Sequence, residues 1–219
     1  MDISRFIEHT NLKPDLTGDQ IDRLVAEAKE HGFFGVCVPP FWVKRAAREI
    51  GTEAIQLVTV IGFPLGYQRT EVKLLEIEKA LEDGANEVDI VMNISAFKSG
   101  MPWTKIELAK CAKLTHDHEA LLKVIIETAY LADDEIIQAC KIVSDAGADF
   151  VKTSTGFAST GAQEHHVKLM RKHSPSHVGI KASGGIKDLA TARKMVEAGA
   201  DRLGLSAGVQ IVQEAKTSN

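Results

Sequence analysis

Cysteine is scarce. Cys37, Cys111 and Cys140 stand far apart without paired spacing, which argues against a disulfide framework and a Cys-ligated zinc site and favours a reducing, cytoplasmic setting. A positive surplus is missing too: 26 lysines and arginines face 30 aspartates and glutamates, so no basic field draws nucleic acid. Any anionic ligand must therefore be held locally. No apolar run approaches the ~20 residues of a membrane span. The start, Met1-Asp2-Ile3-Ser4-Arg5, lacks a charged-then-apolar leader, so neither a membrane nor export is expected. No Gly-x-Gly-x-x-Gly follows an early strand, which leaves a dinucleotide-binding fold unsupported. What remains, 219 residues with 44% hydrophobic and 26% charged, can bury a core unaided, and a single domain over residues 1–219 is expected.

Short apolar or β-rich runs recur: Ile7 to Asn11, Gly35 to Val38, Leu57 to Ile61, Glu87 to Met92, Leu121 to Ile126, Phe150 to Thr153, Val178 to Ala182 and Arg202 to Leu205. Amphipathic stretches alternate with them, at Asp19 to His31, Thr70 to Asp83, Trp103 to Thr115, Asp133 to Ala146, Gln163 to His173 and Leu189 to Ala198. Thr17 with Gln20 forms a capping box, while Gly32, Gly51, Gly84, Gly147 and Gly199 stand where helix ends take a left-handed residue. Three helix-to-strand junctions read alike, Gly84-Ala85-Asn86, Gly147-Ala148-Asp149 and Gly199-Ala200-Asp201. In each, the amide or carboxylate is expected to satisfy the turn locally. Regular β–α units imply parallel strands; about eight of them, with polar residues at their C-terminal ends, favour a closed (β/α)₈ TIM barrel over a doubly wound sheet.

Side chains alternate along a strand, so apolar Val88 and Ile90 facing the helices send Glu87 and Asp89 into the barrel. The same parity sends Lys123, Lys152 and Lys181 inward. Asp89, Lys152 and Lys181 fall toward strand C-terminal ends, where barrel enzymes carry their active sites. Lysines buried together disfavour each other's charge, and about 4 kcal/mol of differential interaction brings an amine from ~10.4 toward neutrality, where it is a nucleophile. The bland reading makes them ion-pair partners of Glu87, Asp89 and Glu127. It wins for any single lysine and loses for two lysines and an aspartate of matching parity on three strands. Lys123, which also faces inward, is the rival for the nucleophile; with Val124 to Glu127 still to follow on its strand it lies deeper and reads as a buried partner of Asp89 or Glu127 that supports the site.

Phe150-Val151-Lys152-Thr153-Ser154-Thr155-Gly156 and Gly179-Ile180-Lys181-Ala182-Ser183-Gly184-Gly185 closely resemble two signature segments of the deoxyribose-phosphate aldolases. Glu87 to Val91, Leu122 to Thr128, Val58 to Gly66 and Gly204 to Gly208 extend the resemblance from about Ile7 to Val212. It implies class I aldol cleavage of 2-deoxy-D-ribose 5-phosphate to D-glyceraldehyde 3-phosphate and acetaldehyde, in deoxyribose phosphate catabolism. Lys152 would be the Schiff-base lysine, with Lys181 and Asp89 assisting proton transfer and no metal or organic cofactor. The expected partners are the sugar phosphate, the aldehydes and further copies of the chain in a dimer or tetramer. Another Schiff-base aldolase, or a non-catalytic sugar-phosphate sensor on the same barrel, would share much of this pattern.

The loops after the last strands supply the expected anion site: Gly184 and Gly185 in one, Gly204 and Ser206 in the other, the second opening a short helix whose N-terminus favours anions. Thr153, Gly156, Glu8 and Thr10 are further expected substrate contacts. Phe157 departs from similar sequences, some of which have a lysine there that reaches toward phosphate, so backbone donors are expected to carry more of the affinity. Ala158-Ser159-Thr160-Gly161-Ala162, Pro39 and Glu8 also depart from the usual pattern. His116, His118, His165 and His166 read as solvated histidines on polar helix surface and Cys37 as core, near enough to the mouth that an aldehyde reacting with its thiol is a minor alternative.

Overall fold

The period-two runs form eight strands in the computed structural model, which describes residues 1–217 of the expected 1–219 domain; Ser218 and Asn219 lie outside the described residues. They are β1 (Ile7–Thr10), β2 (Gly35–Val38), β3 (Gln56–Ile61), β4 (Glu87–Val91), β5 (Leu121–Ile125), β6 (Phe150–Lys152), β7 (Gly179–Ser183) and β8 (Arg202–Leu205). Each pairs in parallel with its sequence neighbours, and β1 pairs with β8 to close the barrel. Helices α1 (Gly18–His31), α2 (Val43–Ile50), α3 (Thr70–Glu82), α4 (Ile94–Lys98), α5 (Trp103–Asp117), α6 (Asp133–Asp145), α7 (Glu164–His173), α8 (Leu189–Glu197) and α9 (Gly208–Thr217) lie between the strands and after β8. Of these, α2, signalled only by Gly51 at its end, and α4 have no counterpart among the amphipathic stretches. Two turns or fewer give periodicity little to register.

The expected punctuation is present. Gln20 Oε1 accepts the Thr17 backbone N–H at 2.8 Å, and Gly32 ends α1 at φ 63°. The three repeated junctions work differently from the expected local turn. Asn86 accepts the Leu57 N–H at 2.9 Å, Asp149 that of Leu122 at 2.8 Å and Asp201 that of Ile180 at 2.8 Å. Their own backbone N–H groups donate to the carbonyls of the same three residues. Each junction is a two-bond clamp on the base of the preceding strand, satisfying an end that the ladder leaves open.

Two layers of core result from strand alternation. Outward residues such as Val88, Ile90, Leu122, Val124, Val151 and Ile180 are wholly buried under the helices. Each contributes about 1.5–3 kcal/mol. The interior holds a small apolar cluster, Cys37, Val58 and Val60, and the buried Val91 and Ile125 at inward-facing positions, beside an ionic group of Glu8, Glu87, Asp89, Lys123, Lys152 and Lys181. A charged interior of this kind needs the outer apolar layer to offset its desolvation.

Candidate active site

Asp89 holds the ionic group together. Its Oδ2 accepts from Lys152 Nζ at 2.7 Å and Lys181 Nζ at 2.6 Å, and its Oδ1 accepts from Lys123 Nζ at 3.0 Å. Lys181 also donates to Glu8, and Lys123 pairs with Glu87 and lies 3.7 Å from Glu8. Strand register explains the levels. Lys152 stands opposite Lys181 and Ile125, whereas Lys123 stands opposite Asp89 and Phe150, two residues lower on β5. Two strand residues are about 6.6 Å.

Above this group opens a cavity of about 320 Å³, walled by the segments after β1, β6, β7 and β8. Lys152 is the one member of the ionic group on its wall; Lys123, Lys181 and Asp89 are wholly buried beneath. Electrostatics separate the amines further. Burial, opposed by the Asp89 carboxylate and reinforced by the Lys181 charge, holds Lys152 below the usual lysine range. Burial acts on Lys181 as well, but Asp89 and Glu8 outweigh it and raise that amine. Lys123 is raised the same way, its burial overcome by Asp89, Glu8 and Glu87. Burial also disfavours the Asp89 carboxylate, yet Lys123, Lys152 and Lys181 hold it well below the usual range.

Of the residues singled out from sequence, Thr10, Gly156, Gly184, Gly185, Gly204 and Ser206 come to the cavity wall, and Thr153 and Glu8 do not. The parity that turns Lys152 inward turns Thr153 away; its Oγ1 accepts the Ser183 N–H at 3.0 Å and donates to the Ser183 carbonyl at 3.2 Å. Glu8 faces inward but two residues below Thr10, where it partners Lys181 and not a ligand. Nor does Glu127 pair with a lysine: its Oε2 accepts from Thr155 N–H at 3.1 Å and from Thr155 Oγ1.

Two cations on the wall escaped the sequence reading, Lys13 after β1 and Lys187 after β7. Lys187 directly follows the Gly184-Gly185-Ile186 turn, which was the available signal. The cavity wall thus carries ammonium groups as well as backbone donors. The turn needs its glycines: Gly184 at φ 83° packs against Gly161, where a Cβ would fall 2.2 Å from the Gly184 oxygen, while Gly185 at φ 77° opens onto free space. Phe157, on the wall and 55% exposed, meets Phe63 edge to face at 5.2 Å. Cys37 is wholly buried off the wall, and burial pushes its thiol up to about 11, which makes it a poor nucleophile. His116 and His165 sit on exposed helix surface against Asp149 and Asp133 at 2.9 and 2.7 Å.

A closed parallel barrel carrying one depressed lysine amine at its C-terminal mouth, over a carboxylate, defines the class of Schiff-base barrel enzymes. Within that class the chain belongs to the DeoC/LacD family of aldolases, whose family model matches residues 6–214. It is 48% identical over 221 residues to the deoxyribose-phosphate aldolase of Thermococcus gammatolerans, covering 100% of this chain and 98% of that protein. The Brevibacillus brevis deoxyribose-phosphate aldolase is likewise 48% identical over 219 residues, covering 100% and 98%. Among solved structures, the Aeropyrum pernix deoxyribose phosphate aldolase, described as a unique tetramer, superposes with a TM-score of 0.92 at 33% identity, covering 99% of this chain and 92% of that one.

Proposed function

We propose that this protein is a deoxyribose-phosphate aldolase that reversibly cleaves 2-deoxy-D-ribose 5-phosphate to D-glyceraldehyde 3-phosphate and acetaldehyde through a Schiff base on Lys152. One observation carries the assignment of the nucleophile: among the three lysines of the barrel interior, the one that reaches the cavity is also the one held below the usual range. The neutral amine adds to C1 of the open-chain sugar, and loss of water leaves an iminium. Electrons of the C2–C3 bond then flow into it, giving an enamine and the three-carbon aldehyde. Protonation of the enamine and hydrolysis release acetaldehyde.

Electrostatic balance supports the same reading. With Lys152 neutral, the group sets Glu8, Glu87 and Asp89 against two ammoniums, Lys123 and Lys181. A cation forming at Lys152 meets a carboxylate already in place. Asp89, with both oxygens engaged by lysines, acts chiefly as this counter-charge, and Lys181 supplies the proton that carries off water. Gly184, Gly185, Gly204 and Ser206 with Lys13 and Lys187 hold the phosphate, and Thr10 and Gly156 border the sugar. We further propose a cytoplasmic enzyme that works as a homo-oligomer, a dimer or tetramer, with no nucleic-acid partner.

Borohydride reduction with acetaldehyde, followed by peptide mapping, tests the nucleophile. The two-carbon label is expected on Lys152 alone, and Lys152→Arg abolishes turnover because guanidinium stays protonated. Label on Lys123 or Lys181 refutes the assignment.

A further inference from the structure

Cleavage of the C2–C3 bond requires a second proton movement, because the C3 hydroxyl must lose its proton as it becomes an aldehyde. Asp89 is poorly suited to take it: three lysines engage both its oxygens and hold its carboxyl well below the usual range. Another buried carboxylate stands free of such partners. Glu127 is 2% exposed and pairs with no cation among the described residues. Its Oε2 accepts both the N–H and the hydroxyl of Thr155, and its buried Oε1 has no hydrogen-bond partner among the described residues. Thr155 lines the cavity with Lys152, three residues away on the same segment.

The backbone singles out the same residue. Glu127 sits at φ 50° and ψ 74°, a left-handed conformation that is unfavourable for a residue with a Cβ. Such strain persists where surrounding contacts enforce it and concentrates at working sites. Here the residue so held accepts the Thr155 hydroxyl on its carboxylate. An unpaired buried oxygen adds a further cost and needs an explanation. The Phe157 N–H donates to Thr155 Oγ1 at 3.1 Å, so Oγ1 sends its own proton to Glu127 while a lone pair remains for a ligand.

We infer that Thr155 and Glu127 form a proton relay for carbon–carbon cleavage and formation, resting on the Schiff-base reading of Lys152. In cleavage, Thr155 Oγ takes the proton of the C3 hydroxyl as it passes its own to Glu127 Oε2. The C3–O pair becomes the aldehyde π bond, the C2–C3 pair moves into the iminium, and the enamine leaves Lys152 uncharged. In synthesis the proton returns from Glu127 through Thr155 to the new C3 alkoxide. Thr155 is the catalytic residue; Glu127 acts through it.

Two half-reactions separate the relay from a structural role. Borohydride trapping of acetaldehyde on Lys152, and deuterium exchange into its methyl group, use the iminium and enamine but no C3 hydroxyl. Glu127→Gln keeps an acceptor for the Thr155 hydroxyl and so keeps the loop, but cannot store the proton. Its kcat for cleavage of 2-deoxy-D-ribose 5-phosphate is expected to fall on the order of 100-fold, with KM little changed and trapping and exchange at wild-type rates. Thr155→Val is expected to match it, and Thr155→Ser to restore most of kcat. Cleavage by Glu127→Gln within about twofold of wild type overturns the relay, as does an equal loss in cleavage, trapping and exchange. Wild-type protein that traps acetaldehyde elsewhere than on Lys152 overturns the Schiff-base assignment and the relay with it, an outcome read before any Glu127 variant is made.

Discussion

Lys152 and Lys181 stand opposite each other on adjacent strands and share one carboxylate oxygen, yet their surroundings push the two amines in opposite directions, Lys152 down and Lys181 up. Burial is the largest influence on both. Lys181 is raised because it has a second acid, Glu8, and Lys152 is lowered because it has none. The sequence reading has burial and a neighbouring ammonium acting together on Lys152; in the structure burial comes first and Lys181 adds to it. Replacing Lys181 alone would leave the buried Glu8 with only the more distant Lys123, 3.7 Å away, to offset its charge, a loss of up to about 3–5 kcal/mol in stability. The cleaner variant is Lys181→Met with Glu8→Gln. In it the Lys152 amine loses a repelling neighbour, so its pKa rises and the pH profile of borohydride trapping is expected to move to higher pH. An unmoved profile would leave burial as the whole cause. Asp89 gives the opposite linkage. Its folded value lies well below 3.8, so its contribution to stability is present above about pH 4 and is lost as the pH falls toward the depressed folded value.

At the scale of elements, β4 carries Asp89, and its C-terminal end is pinned from outside by a buried ion pair. Lys73 on α3 donates to the Val91 carbonyl at 2.9 Å and to Glu107 on α5 at 2.6 Å, and Thr70 donates to the other Glu107 oxygen at 2.9 Å. Both charged side chains are essentially fully buried. Glu107→Leu should therefore cost about 3–5 kcal/mol in denaturant unfolding, and adding Lys73→Met should recover most of it, since the penalty lies in the stranded ammonium. Equal destabilisation by single and double variants would mean that packing, not charge, is what the pair supplies. Strand alternation made the barrel and the inward lysines legible from the chain, because a period of two shows within one strand. What stayed hidden depends on partners distant in sequence. The Asn86, Asp149 and Asp201 clamps each reach a strand base more than 20 residues back, and no local pattern shows it. Glu127 could not be distinguished from a lysine partner, because its left-handed backbone is not encoded in any turn residue. Thr153 was legible and misread: the parity argument already turned it away from the mouth.

At the scale of the molecule, the surface is uneven. Of the twelve exposed large hydrophobics among the described residues, seven lie on α3, α5 and the segments leading into them: Leu65, Tyr67, Val72, Leu75, Met101, Trp103 and Ile106. Met101 and Ile106 also border a groove of about 460 Å³ between α5 and α6. Apolar surface gathered in this way marks an association face. Charge indicates what covers it. On α3 the exposed Glu71, Glu78 and Glu82 outnumber Lys79, whereas on α5 the exposed Lys105, Lys110 and Lys113 outnumber Asp117. A two-fold axis that lays α3 of one copy over α5 of the next brings acid to base twice, as a self-complementary contact requires. This face is therefore the one on which the proposed homo-oligomer is tested. Leu75→Glu with Ile106→Glu is expected to shift sedimentation toward the 23.8 kDa monomer. Reversing the α3 rim alone, with Glu71→Lys and Glu78→Lys, should weaken association, and reversing the α5 rim as well, with Lys105→Glu and Lys110→Glu, should restore it. Restoration is the decisive result, because a general loss of solubility or packing would grow worse with two more substitutions. A wild-type chain that sediments as a monomer, or a double reversal no better than the single one, would remove this face from the assembly.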